Sequence, residues 1–330
     1  MSDEGQVREA TRVFALMLNF EGLNDTRHAL MRLDSIDGLA GTIVLDNGSA
    51  RDESVALRAE FPRVDVWRCE ENLGFARGVN HIASAALGAG ATHLLLINND
   101  AEFSNSCAPL DRLMAEFERH PTCVAVGPVI LNRDGSVQSA GYAYSPWLPI
   151  PRACRRIPER TTTVGGFLSG SCLLLDAMKF ASLGGFDPDF FLYGEDLDFA
   201  LRAASAGMTL ALVPSASVYH GRAASSHLYS SRYVYTVLRG NLIASAKHAR
   251  WYRWPSVLAT FFACSFVLAF LGIMRGHRDA PRAAVLAWAD FLAKRWSGLI
   301  GAPLTPCARP SLEECTSLRT RTIDRWRRDA

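Results

Sequence analysis

The 330-residue sequence predicts an α/β protein built on a mostly parallel sheet. Three observations carry that expectation. Short, continuous apolar runs recur along the first half, each the length of a strand buried on both faces. Segments of helical character separate them, as in βαβ units. Several runs stop abruptly at Asp, Asn or Gly, and in open α/β sheets ligands bind just outside the carboxyl ends of the strands.

Val13 to Asn19 (V-F-A-L-M-L-N) reads as the first strand. Asp25 or Thr26 is placed to cap a helix running to about Ile36. Gly41 to Leu45 is a second strand and ends in Asp46-Asn47-Gly48-Ser49. A carboxylate at that point suits the imide N–H of a uracil or thymine base, although the same residues would also make a plain turn. Ser54 to Glu60 suggests a helix and Val64 to Cys69 a third strand. Glu71 to Asn80 reads as a Gly-rich loop, followed by a helix to about Ala89. Gly74 and Gly78 allow close backbone approach to a ligand, and the helix start offers N–H groups to an anion. Arg77 is either a phosphate partner or a solvated side chain.

Thr92 to Asp100 (T-H-L-L-L-I-N-N-D) is the stretch around which the rest is organised. Its apolar run, Leu94 to Ile97, ends at Asn98-Asn99-Asp100. A hard cation such as Mg²⁺ or Mn²⁺ takes oxygen ligands, often one or two carboxylates plus substrate phosphates. The competing reading is a turn opened by Asp100.

Further on, Val124 to Leu131 reads as a strand and Val164 to Leu175 as another, with a Pro- and Arg-rich mobile loop expected over Ser145 to Pro158. Glu195 to Ala206 has helical spacing, with Glu195, Asp196 and Asp198 crowding its first turn and Gly207 at its end. Acidic residues there stabilise a helix N-terminus without any catalytic role. Met208 to Val213 is a strand ended by Pro214, and Tyr229 to Arg250 is a helix.

The net charge of +2 gives no argument for nucleic acid binding. The eight cysteines are scattered without a C-x-x-C pair, so neither a zinc ribbon nor a redox motif is signalled, and this suits a reducing compartment. Cys172 and Cys264 read as small buried residues. Met1 to Arg12 has no apolar core for a signal peptide.

Three stretches taken together, Asp46-Asn47-Gly48-Ser49, Asn72-x-Gly-Phe-Ala-x-Gly-x-Asn80 and Asn98-Asn99-Asp100, resemble glycosyltransferase family 2. Within it they are similar to the rhamnosyltransferase-like enzymes of bacterial cell-surface polysaccharide synthesis. The resemblance implies the GT-A fold, a nucleotide-binding half over residues 12–131 and an acceptor half over 132–250. It implies that Asp46 contacts the base of a nucleotide-sugar donor, with Asn47, Asn72, Gly74, Phe75, Arg77, Asn80, Asn98 and Asn99 around that donor. The family's D-x-D motif stands here as Asn98-Asn99-Asp100, which leaves the metal role on Asp100.

Phe190-Phe191-Leu192-Tyr193-Gly194-Glu195-Asp196, after Gly184-Gly185-Phe186-Asp187, resembles the family's acceptor-side E-D motif. It implies that Asp196 is the general base toward an acceptor hydroxyl, beside Glu195. His220 stands where relatives place a metal ligand. Arg239-Gly240-Asn241 resembles an R-N-x-L element. Together these imply an inverting transfer, dependent on Mg²⁺ or Mn²⁺, to a lipid-linked or glycan acceptor.

Pro255 to Met274 has no charged residue and approaches the length of a bilayer span. Ala283 to Ile300 is an amphipathic stretch carrying Asp290, Lys294 and Arg295, and Arg319 to Arg328 is basic. Resemblance favours two helices lying in the interface at the cytoplasmic face of the inner membrane, within a helical region over residues 251–330. A span from Pro255 and a buried soluble helix pair are the alternatives. Two functional rivals are a nucleotidyltransferase and a non-catalytic membrane-associated sugar-binding protein. The first should carry a Gly-rich, basic loop after the first strand, and Asn19-Phe20-Glu21-Gly22 is not one.

Overall fold

Strand β1 (Val13–Asn19) lies in the interior of the sheet and has a hydrophobic core on each face. Phe14 and Leu16 enter one core, while Val13, Ala15 and Met17 enter the other. Alternate side chains of a strand point to opposite faces, so a doubly covered strand needs an apolar residue at nearly every position. The computed structural model describes residues 11–104, 109–221 and 229–293.

From β1 the chain continues through α1 (Leu23–Leu33), β2 (Leu39–Asn47), α2 (Ser54–Glu60), β3 (Asp65–Cys69), α3 (Gly74–Gly88) and β4 (His93–Ile97). Then come β5 (Ala101–Phe103), α4 (Pro109–Arg119), β6 (Cys123–Leu131), β7 (Val137–Ser139), β8 (Tyr142–Ser145), β9 (Leu148–Ala153) and β10 (Thr162–Thr163). The last part holds β11 (Cys172–Asp176), α5 (Ala177–Ser182), α6 (Glu195–Ser205), β12 (Thr209–His220), α7 (Ser231–His248), α8 (Trp254–Met274) and α9 (Ala280–Leu292). A ten-stranded sheet runs β10-β12-β6-β11-β4-β1-β2-β3, with β5 added to β12 and β7 to β6. Strands β3, β2, β1 and β4 are parallel, as are β6 and β12, and β11 is antiparallel to both its neighbours.

Several elements differ from expectation. Helix α1 begins at Leu23 and has no side-chain cap; Thr26 is buried and its hydroxyl donates to Asn19 Oδ1 at 2.7 Å. The expected strand over Val164 to Leu175 is regular only from Cys172. Pro214 does not end its strand. It falls in the register shift between Val213 and Ser217, where its missing N–H costs no ladder bond, and β12 continues to His220. The Ser145 to Pro158 stretch is not simply a loop: β8 and β9 pair antiparallel as a separate ribbon, whose outer position tolerates Pro149 and Pro151. Cys264 is half-buried, not enclosed, and Lys294 to Ile300 and Arg319 to Arg328 lie outside the described residues.

Helix α8 packs one stripe, Val257, Thr260, Phe261 and Gly272, toward α7 and α9. Trp288 of α9 donates to Ser265 at 2.9 Å, and Tyr235 of α7 donates to Asp290 of α9 at 2.7 Å. The opposite stripe, Leu258, Phe262, Phe266, Phe270 and Met274, is exposed.

Candidate active site

Past β4 the chain turns through Asn98, Asn99 and Asp100 into β5, which pairs antiparallel with the end of β12. The register sets Ala101 opposite His220, and the Gly221 N–H donates to the Asp100 carbonyl at 2.9 Å. Two side chains far apart in sequence therefore meet: Asp100 Oδ1 lies 3.2 Å from His220 Nε2. Asn98 Nδ2 lies 3.4 Å from that nitrogen, and Gln138 Nε2 lies 3.3 Å from His220 Nδ1. Two ligands on adjacent positions of an octahedral ion, each about 2.1 Å away, stand roughly 3.0 Å apart, so this oxygen–nitrogen pair fits a hard divalent cation. Among the described residues no group of three His, Cys, Asp or Glu side chains forms a cage. The protein would supply two ligands and leave the remaining positions to phosphate oxygens and water. Asn99 faces elsewhere and donates to Thr26 Oγ1 at 3.0 Å, tying the turn to α1.

Asp46 ends β2 at full burial. Its Oδ1 accepts from Asn19 and from the Ser49 N–H, both at 3.3 Å. Its Oδ2 accepts from the Glu53 N–H at 3.2 Å and from Arg68 Nη1 at 2.7 Å. A carboxylate offers about four acceptor positions, and here the protein takes all of them. The expected base contact by Asp46 would require Arg68 to give way. Asn47 is similarly committed, donating to Asn72 Oδ1 and the Gly74 carbonyl and accepting from the Leu73 N–H. Gly48 sits at φ +81°, where an added Cβ would lie 2.4 Å from the Asn72 nitrogen.

The stretch expected as a Gly-rich loop is the first half of a helix, since α3 starts at Gly74. The close approach at Gly74 is to the protein itself: a Cβ there would lie 2.5 Å from the Phe191 carbonyl, and the Phe75 N–H donates to that carbonyl at 2.6 Å. Arg77 donates to the Pro188 carbonyl at 3.1 Å. Asn80 spends both ends of its amide on Phe186, donating to its carbonyl at 2.6 Å and accepting from its N–H at 2.9 Å. Gly74, Phe75, Arg77 and Asn80 thus brace the segment that leads into Glu195.

That lead-in is held from three further sides. Arg202 donates to the carbonyls of Leu183 and Gly185 at 2.7 and 2.9 Å. Lys247 reaches Asp187 and Asp189, both at 2.7 Å. At Gly240 a Cβ would lie 2.0 Å from the Tyr193 carbonyl, so α7 touches the turn backbone to backbone. Tyr193 itself is held at φ +65°, a conformation that costs a non-glycine residue and persists only when its surroundings enforce it.

The turn delivers Glu195 and Asp196 to the start of α6. Glu195 is 5% exposed, and its Oε2 is buried with no hydrogen-bond partner among the described residues. Burial, and then the neighbouring Asp196 charge, push its carboxyl well above the ordinary glutamate range. Asp196 remains partly open. Burial raises it too, opposed by the N–H groups of Leu197 and Gly170, so Asp196 ionises before Glu195. Burial alone would raise Asp198, but His248 at 2.8 Å and Arg202 at 2.7 Å outweigh it and hold that carboxyl low. One bridge connects the acidic turn to the metal-type pair. The Gly170 N–H is one of the groups that favour the ionised form of Asp196, while the carbonyl of the next residue, Ser171, accepts the Asn98 N–H at 2.9 Å.

The Glycosyl transferase family 2 profile matches residues 40–181, and that of Glycosyl transferase family group 2 matches 157–293. N-acetylglucosaminyl-diphospho-decaprenol L-rhamnosyltransferase of Mycobacterium tuberculosis is 30% identical over 248 residues, which is 64% of this chain and 77% of that protein. The chain belongs to glycosyltransferase family 2. Two solved structures share its fold, the GT-A fold. GalNAc-T7 with UDP, GalNAc and Mn²⁺ superposes with a TM-score of 0.57 at 16% identity, over 72% of this chain and 48% of that one. The mannosyltransferase PcManGT of Pyrobaculum calidifontis, in complex with GDP-Man and Mn²⁺, gives 0.52 at 17% identity, over 97% and 85%.

In this glycosyltransferase, sequence reasoning named Asp198 only as an acid at a helix start and missed Arg202, Lys247 and His248, which position the acidic turn with it. Only Asp198 carried a local signal, four residues before Arg202 on one helix face. The others act across long sequence separations that no local pattern reports.

Proposed function

We propose that this glycosyltransferase moves a sugar from a nucleotide-sugar donor, dTDP-rhamnose or a UDP-sugar, to a hydroxyl of a lipid-linked or polysaccharide acceptor in cell-envelope glycan synthesis. The rhamnosyltransferase relative supports that class of donor and acceptor. Residues 12–131 take the donor and residues 132–250 the acceptor. The observation that carries the reading is the meeting of Asp100 and His220 at 3.2 Å past the end of β4, in a chain whose acidic turn keeps Asp196 partly open.

Asp196, the more readily ionised of the acidic pair, takes the proton of the acceptor hydroxyl as its oxygen attacks the anomeric carbon. Attack comes from the face opposite the diphosphate, so configuration inverts. Glu195 keeps its proton and donates it in a hydrogen bond that orients the acceptor. Asp100 and His220 would hold Mg²⁺ or Mn²⁺, which would supply positive charge to neutralise the departing diphosphate. The protein works at the cytoplasmic face of the inner membrane, with α8 and α9 in the interface. Support for membrane association comes from α8, which is long and apolar enough to cross a bilayer and leaves Leu258, Phe262, Phe266, Phe270 and Met274 exposed.

Isothermal titration with a panel of nucleotide sugars, with and without Mn²⁺, tests the donor side. Asp100→Ala is expected to abolish Mn²⁺-dependent donor binding, and His220→Ala to weaken it less. Unchanged donor and Mn²⁺ affinity in Asp100→Ala would overturn the assignment.

A further inference from the structure

The ribbon of β8 and β9 forms a two-stranded sheet of its own, and its turn carries Trp147 and Leu148, 56% and 42% exposed. Trp147 is nevertheless fixed. The Ser256 hydroxyl donates to its carbonyl at 2.7 Å, the Arg253 guanidinium lies 5.4 Å from its ring centroid, and the Tyr252 ring lies 5.9 Å away. The ribbon tip is therefore pinned to the entry of α8, beside the exposed Trp251 and Arg250.

From the outer strand onward the exposed charged residues are four arginines and one acid, Glu159. Arg152, Arg155, Arg156 and Arg160 are all exposed, with exposed Ile157 among them. Among the described residues, none of these four guanidinium groups forms an ion pair. An exposed Trp at the tip of the ribbon and an exposed Ile among unpaired arginines at its base, where Arg152 stands opposite Ala143, together match an anionic membrane surface. Guanidinium groups pair with phosphate, indole rings settle at headgroup depth, and the patch continues into the exposed Phe stripe of α8.

We propose that the β8–β9 ribbon is a second membrane contact, one that docks on anionic phospholipid headgroups beside the apolar stripe of α8. The inference rests on the reading that this glycosyltransferase works at a membrane, and it adds an orientation. The other end of the ribbon is fixed to the acceptor side. The Tyr142 ring stacks on Phe167 at 4.7 Å and 9°, and at Gly166 a Cβ would lie 2.0 Å from the Tyr142 carbonyl. Phe167 leads directly to Gly170, whose N–H favours the ionised form of Asp196, and to Ser171, whose carbonyl accepts the Asn98 N–H at 2.9 Å. Docking the ribbon turns the acceptor side of the crevice toward the bilayer, where a lipid-linked substrate resides.

The test uses full-length protein and flotation with phosphatidylcholine vesicles, with and without phosphatidylglycerol. A basic residue near an anionic surface is worth roughly fivefold in binding. The variant R152Q/R155Q/R156Q is therefore expected to bind phosphatidylglycerol vesicles at least about tenfold more weakly than wild type. Its binding to pure phosphatidylcholine, its melting temperature and its donor hydrolysis rate should not change. Wild-type affinity for phosphatidylglycerol vesicles in this variant would overturn the proposal. If F262S/F266S/F270S loses vesicle binding while the arginine variant keeps it, the membrane reading stands and the ribbon proposal falls. If wild type floats with neither vesicle, both fall. Loss of self-association instead of vesicle binding would assign the face to a second copy, and would also overturn the proposal.

Discussion

The corner around Asp46 and the corner around Glu195 and Asp196 both carry motif acids, and they end in opposite states. At Asp46 four donors, one of them the Arg68 guanidinium, occupy the carboxylate completely. At Glu195 a buried carboxyl oxygen has no donor among the described residues, and Asp196 beside it stays partly open. A saturated carboxylate is a strut, because any new partner must displace an old one. An under-satisfied pair stores the desolvation that shifts proton affinity, which is what acid–base chemistry requires. The contrast shows that motif membership does not say how far a carboxylate is committed to the protein, whereas a count of donors does.

The largest expected effect breaks the second corner. Asp196→Asn keeps shape and most hydrogen bonding but cannot take a proton, so turnover is expected to fall by about 10²–10⁴ with donor affinity near normal. Full transferase activity in Asp196→Asn, with loss in Glu195→Gln, would mean the two roles are exchanged.

Next comes the first corner. Arg68→Met leaves Asp46 buried without its cation and should lower the unfolding free energy by about 3 kcal/mol in denaturant titration. Donor affinity of the folded fraction should be nearly unchanged. If the variant keeps its stability and loses donor binding, Asp46 reads the base as the sequence suggested.

The smallest effect sharpens the comparison. Glu195 titrates higher folded than unfolded, because burial and Asp196 oppose its charge. The folded state then binds more protons than the unfolded one between the two values. Stability falls as pH rises from the ordinary glutamate value, about 4.3, through the raised one. Glu195→Gln mimics the protonated form, so its melting temperature should match wild type in acid and exceed it in alkali. Parallel curves for the two proteins would deny the raised affinity.

The legibility of these features follows the range of the interactions that make them. Strands β1 and β4 were readable because an apolar residue at nearly every position is a local consequence of double burial. The meeting of Asp100 and His220 was indicated by motif order alone, since Pro214 suggested a strand end. Only the register shift at Pro214 reveals how β12 reaches His220. The spacing of Asn72, Gly74 and Asn80 suggested a ligand loop. Its partners at Phe186 and Phe191 lie more than a hundred residues away, beyond any periodicity. The β8–β9 ribbon was hidden because its Pro and Arg residues mark a loop unless one knows that the strand stands at an unpaired edge.

The proton affinity of Asp196 is the centre of the account, and the pH dependence of kcat/KM for sugar transfer tests it most directly. Burial raises this carboxyl above the ordinary aspartate value of about 3.9. As the base it must be ionised, so kcat/KM should fall on acidification along a limb lying above that value. The limb should persist in Glu195→Gln and vanish with the remaining activity in Asp196→Asn. A profile flat down to the ordinary aspartate range, or a limb that Glu195→Gln removes, would contradict Asp196 as the general base.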